Sequence, residues 1–295
     1  MKESLWTGGF ALAVLLLFFV FAANGWPGDM DSCISDNDAK KPSVTDNTCY
    51  CEPFDIKDVK NHLPGVRQPF NTFSNLYALG TGAFLAFTVW KQRRKREDSN
   101  DPEVRNPTRD KNRFRIGSFY PIFYIQVALF LGLGSMFFHA SIVNWGGIFD
   151  QMSMYTLVSF LIAYSLVRLR NVDRYFYICY PLLVFLFFVL ALLHVSSVIV
   201  ILLALLGPYA VLEFIIFFQD WVFNKNTKVS FWVYSRYWII GFTTFMIAIV
   251  IRGASDTGGP LCISCSSAFQ YHGVWHWLSG ITALMLYFHW KKAQR

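Results

Sequence analysis

A succession of long apolar runs, divided by short polar stretches, constrains this chain more than any other feature. Of its 295 residues 54% are hydrophobic, with 30 Phe and 10 Trp, too apolar and aromatic for an ordinary soluble domain. A membrane-spanning helix needs about 20 mostly apolar residues, and several runs approach that length. Leu5–Ala23 is the first. Lys2 precedes it, a polar stretch follows, and Val20, Phe21 and Ala22 offer a small-residue cleavage site, so residues 1–23 read as a signal peptide or a signal anchor. A polar, Cys-containing segment covers 24–70. Seven further runs, near 71–90, 119–139, 148–167, 175–194, 197–218, 236–251 and 272–290, predict spanning helices. The expected fold is an all-α membrane protein, a seven-transmembrane helix bundle over 71–290 with a short tail at 291–295.

Every second loop is basic. Lys91 to Arg96, and further basic residues up to Arg115, follow the first of the seven runs. Arg168, Arg170 and Arg174 follow the third, Lys225, Lys228 and Arg236 the fifth, and Lys291, Lys292 and Arg295 the seventh. Loops rich in Lys and Arg stay in the cytoplasm, which predicts a cytoplasmic C-terminus. The net charge of +7 is therefore a matter of membrane orientation, and no nucleic-acid partner is expected. Cys33, Cys49, Cys51, Cys262 and Cys265 fall on the opposite side, where an oxidising compartment permits pairing; Cys179 alone lies inside a run.

This topology brings five polar residues to one depth. Ser135 and His139 end the second run, Asp150 begins the third, and His272 and His276 begin the seventh, all at the non-cytoplasmic face. Ionisable side chains near a bilayer core are costly and are functional candidates by default. Positions four apart share a helix face, so His272 and His276 can hold one ion, with His139 as a third ligand. Three imidazoles with a fourth position open to water is a catalytic zinc arrangement. Asp150 is then the candidate general acid–base, and Ser135 the candidate to orient water or donate to a developing oxyanion.

Other polar residues read more plainly. His194 and His289 are expected at the interface, bonded to loops, and Glu213 is assigned to helix packing or an internal hydrogen bond. The run from Lys91 to Arg96 is a topology anchor. Asn71, Thr72, Ser74 and Asn75 could surround the site, but composition favours interhelical glue from small polar side chains.

Taken together, these residues resemble the alkaline ceramidase family, within the CREST superfamily of seven-span membrane hydrolases. The superfamily pattern of S-x3-H, a following Asp and a late H-x3-H reads here as Ser135 with His139, Asp150, and His272 with His276. The ceramidase branch also has a Cys-Glu pair and an N-T-x-S-N motif, here Cys51-Glu52 and Asn71-Thr72-Phe73-Ser74-Asn75. The resemblance covers roughly residues 49 to 290. It implies a zinc amidase that cleaves the N-acyl bond of ceramide-like lipids to a sphingoid base and a fatty acid, with His139, His272 and His276 on zinc and Asp150 and Ser135 assisting. A lipid substrate would arrive laterally from the bilayer. The resemblance also offers Cys51 with Cys262 or Cys265 as a pair, and the sequence does not choose between them.

The chain departs from the calcium-dependent members of that family. They resemble D-W-C-E-x-N, with a further Glu before the N-T-x-S-N motif. Here Cys49, Tyr50 and Phe54 replace three of those positions, Gln68 stands where the Glu falls, and Glu52 is the carboxylate that survives. Calcium takes six to eight oxygen ligands, so a calcium site at Glu52 is not expected to be complete. Two other functions share the superfamily's zinc site: a zinc-containing lipid receptor and a glycolipid-anchor remodelling factor. The basic loops oppose the receptor's usual orientation, and the N-T-x-S-N motif favours the ceramidase branch over the remodelling factor.

Overall fold

A computed structural model describes residues 2–31, 50–52, 54–99, 114, 118–193, 198–223, 231–256, 259–262 and 269–292. Cys33, Cys49, Cys265, His194, Arg115, Lys225, Lys228 and Arg295, invoked above, lie outside the described residues. The described chain is helical: α1 Lys2–Asn24, α2 Ile56–Lys60, α3 Pro69–Ser74, α4 Tyr77–Glu97, α5 Phe119–Ser141, α6 Asn144–Arg170, α7 Arg174–Leu192, α8 Val198–Phe223, α9 Phe231–Ala254 and α10 Tyr271–Lys292. Four helical stretches among these residues are long and apolar enough to cross a bilayer: Phe119–Ser141, Asn144–Arg170, Leu202–Gln219 and Ser235–Ala254. α4 and α10 have the length but are less apolar. The reason in α10 is an inward face that buries His272, His276, Ser279, Thr282 and His289.

The run expected as one helix over 71–90 is two. Ser74 Oγ and Asn75 Nδ2 both donate to the Asn71 carbonyl at 2.8 Å. That carbonyl would otherwise accept the Asn75 N–H, which turns to Thr72 O at 3.2 Å instead. Side chains of this type compete with the helical ladder, and α3 stops before α4 begins.

The bundle core is aromatic. Tyr124, Phe160, Tyr164, Tyr287 and Trp290 are buried together where α5, α6 and α10 meet. Trp290 is met edge-on by Tyr124 at 5.2 Å and by Tyr164 at 5.1 Å, a geometry favoured by the ring quadrupoles. α1 lies against α5, with Phe18 buried between Trp26 and Phe137 at 5.5 and 5.6 Å. The chain beyond α1 is tied to the α5–α6 junction, where Asp31 N donates to Ile142 O and Asn144 N to Asp29 O.

Two expectations about charge are corrected at the other end of the bundle. Arg168 is not a loop cation, because α6 continues to Arg170 and buries it. Its Nη1 sits 2.6 and 2.7 Å from the two Glu213 oxygens. His289 is likewise turned into the bundle: its Nε2 is 3.1 Å from Glu213 Oε2. Ser165 Oγ donates to the same carboxylate at 2.8 Å. Glu213 is the internal hydrogen-bonding residue expected of it, and it joins α6, α8 and α10.

Candidate metal centre

Helix spacing and close packing assemble the site. His272 and His276 lie one turn apart on α10, and His139 closes the last turn of α5. All three are buried, and a ring nitrogen from each lies within 4.8 Å of those of the others. Two glycines let the helices approach. A Cβ on Gly134 would stand 2.8 Å from Phe149 O and from Ser153 Cβ, so α5 and α6 meet closely beside Ser135 and Asp150. A Cβ on Gly273 would meet the Phe70 ring and come 3.1 Å from Ser74 Cβ, which fixes how near α3 lies to α10.

Two of the three imidazoles, those of His139 and His276, have one nitrogen engaged by a side chain. Gln68 Oε1 lies 2.7 Å from His139 Nδ1 and accepts its hydrogen. Gln68 Nε2 donates to the Glu52 carbonyl at 3.1 Å, which fixes the amide's orientation. Ser74 Oγ gives its proton to Asn71 O and stands 2.6 Å from His276 Nδ1, which therefore donates to it. The Nε2 lone pairs of His139 and His276 are left for the centre. His139 Nε2 and His272 Nδ1 are buried without a hydrogen-bond partner among the described residues. Buried polar atoms are almost always satisfied, so orphaned nitrogens on two of three clustered imidazoles fit a bound cation. The cluster could hold a metal ion. A histidine ligand normally has its second nitrogen hydrogen-bonded, as His139 and His276 do here.

The predicted helpers are adjacent. Ser135 Oγ is 3.3 Å from His276 Nε2 and within hydrogen-bonding reach of the buried Asp150 carboxylate. The structure thus gathers Ser135, His139, Asp150, His272 and His276.

Glu52 stands apart from the histidines. Its two oxygens accept the Phe70 and Asn71 N–H groups, both at 2.7 Å, at the start of α3. Burial pushes its carboxyl up to about 7, against the opposing pull of those two amides. Among the described residues no group of three His, Cys, Asp or Glu forms around it.

Four contributors escaped the sequence reading. Gln68 was visible only as a departure from a motif, and it bonds His139. Ser74, read above as interhelical glue, does join two helices, but through His276, and the Asn71 backbone N–H bonds Glu52. Tyr50 lays its ring 4.3 Å from His272 and 5.2 Å from His139. Arg252 donates to the Tyr50 hydroxyl at 3.3 Å. The phenol is pushed up by burial, opposed by Arg252. Tyr50 and Cys51 both have left-handed backbones, with φ of 53° and 61°. The Cys51–Cys262 disulfide, with Cα atoms 5.5 Å apart, holds them against the loop after α9 and settles which late cysteine pairs.

The family profile described as Ceramidase matches residues 61–294. This chain belongs to the ceramidase family. Membership makes it an amidohydrolase of ceramide-type lipids, consistent with its apolar helices and buried site. Comparison with curated proteins finds no match. The matched region of this ceramidase-family chain contains all three histidines, Ser135 and Asp150, but begins after Tyr50 and Glu52.

Proposed function

We propose that the protein is a zinc-dependent amidase that hydrolyses the N-acyl bond of ceramide-like sphingolipids. The observation that carries this is the trio of buried, clustered imidazoles beside Asp150 and Ser135. His139, His272 and His276 would hold the zinc. When bound, zinc lowers the pKa of coordinated water and polarises a carbonyl oxygen. Gln68 and Ser74 hold the His139 and His276 rings in the tautomer that presents Nε2. Asp150 takes the proton lost by water as it adds to the amide carbon, and returns it to the nitrogen when the C–N bond breaks. Ser135, between Asp150 and His276, orients that water or donates to the developing oxyanion. The products are a sphingoid base and a fatty acid.

The same reading keeps seven spans over 71–290, residues 1–23 as a signal peptide or anchor, the site toward the non-cytoplasmic face and a cytoplasmic C-terminus. The charge pattern supports that orientation. It assigns no calcium to Glu52, whose oxygens are both engaged by backbone amides.

Purified protein in detergent, wild type beside His276→Ala, tests the proposal with ceramide turnover and zinc content measured on both. Sphingoid base and fatty acid released by wild type alone, with zinc lost in the variant, support it. Absence of zinc from wild type would sink it. Zinc without turnover of any ceramide would point to a receptor, and a lysolipid product to glycolipid-anchor remodelling.

A further inference from the structure

Between Arg236 and Lys291 the sequence has a single Lys or Arg, Arg252. It lies in the last turn of α9. α9 and α10 run antiparallel, with Thr282 Oγ1 donating to Gly241 O at 3.3 Å and Phe245 stacked on Trp275 at 5.8 Å. That register brings Arg252 level with the start of α10, where His272 lies. One ring connects them: the Arg252 guanidinium carbon is 5.6 Å from the Tyr50 centroid, and the same ring lies 4.3 Å from that of His272. The Arg252 charge acts on Asp150 as well as on Tyr50 and Asp256.

Arg252 is buried and lacks a close ion pair among the described residues. Its side chain is 8% exposed, and the ion pair to the half-exposed Asp256 carboxylate is long, at 3.9 Å. A guanidinium carries five N–H donors. Among the described residues this one makes a single side-chain hydrogen bond, to the Tyr50 hydroxyl. Buried charges are ordinarily paired and fully hydrogen-bonded. A guanidinium held beside a reaction centre with donors to spare suits a planar carboxylate, which it grips through two parallel bonds.

We propose that Arg252 is a carboxylate subsite that receives the head of the long-chain fatty acid. The inference rests on the amidase reading, because hydrolysis of an N-acyl lipid creates that carboxylate where none existed. The substrate's neutral amide gains no ion pair there, so the subsite discriminates product from substrate. Asp256 competes weakly for the same donors.

The test titrates the full-length protein in detergent with palmitate and with 1-hexadecanol, read by calorimetry, with zinc content measured in each sample. A hydrogen-bonded charge should make palmitate bind about tenfold more tightly than the alcohol. Arg252→Gln should abolish that preference without loss of zinc, and Arg252→Lys should recover part of it. Asp256→Asn should tighten palmitate alone; it alters a half-exposed side chain and decides the matter if the Arg252 variants fail to fold. An undiminished preference in folded Arg252→Gln, or unchanged palmitate binding in Asp256→Asn, would overturn the subsite. Ceramide turnover by the same wild-type sample reads the amidase assignment separately. Turnover without Arg252-dependent binding removes only the subsite, and Arg252-dependent binding without turnover removes only the amidase.

Discussion

The Gln68 side-chain oxygen lies 2.7 Å from His139 Nδ1, and the same amide donates to the Glu52 carbonyl. A segment ahead of the bundle therefore sets the tautomer and ring plane of a histidine on α5. Loss of such a partner typically weakens a metal site by 10–100-fold. Gln68→Ala should lower zinc affinity by about that factor, measured by competition with a chelator, with helix content unchanged by circular dichroism. Ser74→Ala should do the same through His276. Undiminished affinity in both would mean that the rings are oriented by packing alone.

Asp150→Asn removes the proposed proton carrier while keeping size and burial. Loss of a general acid–base group costs about 10²–10⁴-fold. That loss should appear in kcat, with zinc retained. Ser135→Ala should cost less and also retain zinc. Zinc loss on replacing Asp150 would make the residue a ligand or a support instead.

The five central residues were legible because spacing and alternation reveal them. Four-residue separations place Ser135 with His139 and His272 with His276 on single helix faces, and alternating spans return Asp150 to the same end. The supporting contacts were not legible. Gln68 and His139 are 71 residues apart, and Ser74 and His276 are 202 apart. No local period encodes such pairs. The break after Ser74 escaped because an apolar run predicts a helix whatever its side chains do to the ladder. Arg168 misled for a related reason: a cation near a span end looks like a topology signal until its partner on α8 is seen.

That partner supports a stability prediction. Glu213 is shared by Arg168, His289 and Ser165 in a buried setting. Removing one member of a buried pair leaves an uncompensated charge and costs about 3–5 kcal/mol. Glu213→Leu should lower the melting temperature sharply, while Arg168→Met with Glu213→Leu should recover much of the loss. A double variant no better than the single one would show that the cluster does more than balance charge.

The Cys51–Cys262 bridge closes a very long loop, its ends 211 positions apart in sequence. Such a cross-link typically contributes about 2–4 kcal/mol. It also anchors Tyr50, the residue before Cys51, against the histidines. Cys51→Ser with Cys262→Ser should reduce thermal stability and leave Tyr50 free to move off His272. A tryptophan or fluorine probe at position 50 should then report increased mobility; an unchanged probe signal would show that Arg252 and the packing on His139 and His272 suffice to hold the ring.

Glu52 gives a pH dependence opposite to that of most carboxylates. Its folded value of about 7 lies above the ordinary 4.5 because it is buried. Between those two values the folded state binds more protons than the unfolded state, so stability falls as pH rises. The contribution is most favourable below about 4.5 and has been lost by pH 7. Zinc ligation has the reverse dependence, since histidines must be neutral to bind, and the measurement therefore needs chelator-treated protein. Melting temperature in Glu52→Gln, whose side chain cannot ionise, should gain on wild type as pH rises from 5 to 7, whatever slope the other groups give both proteins. An identical slope in both proteins would place the titrating group elsewhere and would mean that the two α3 amides keep Glu52 ionised throughout.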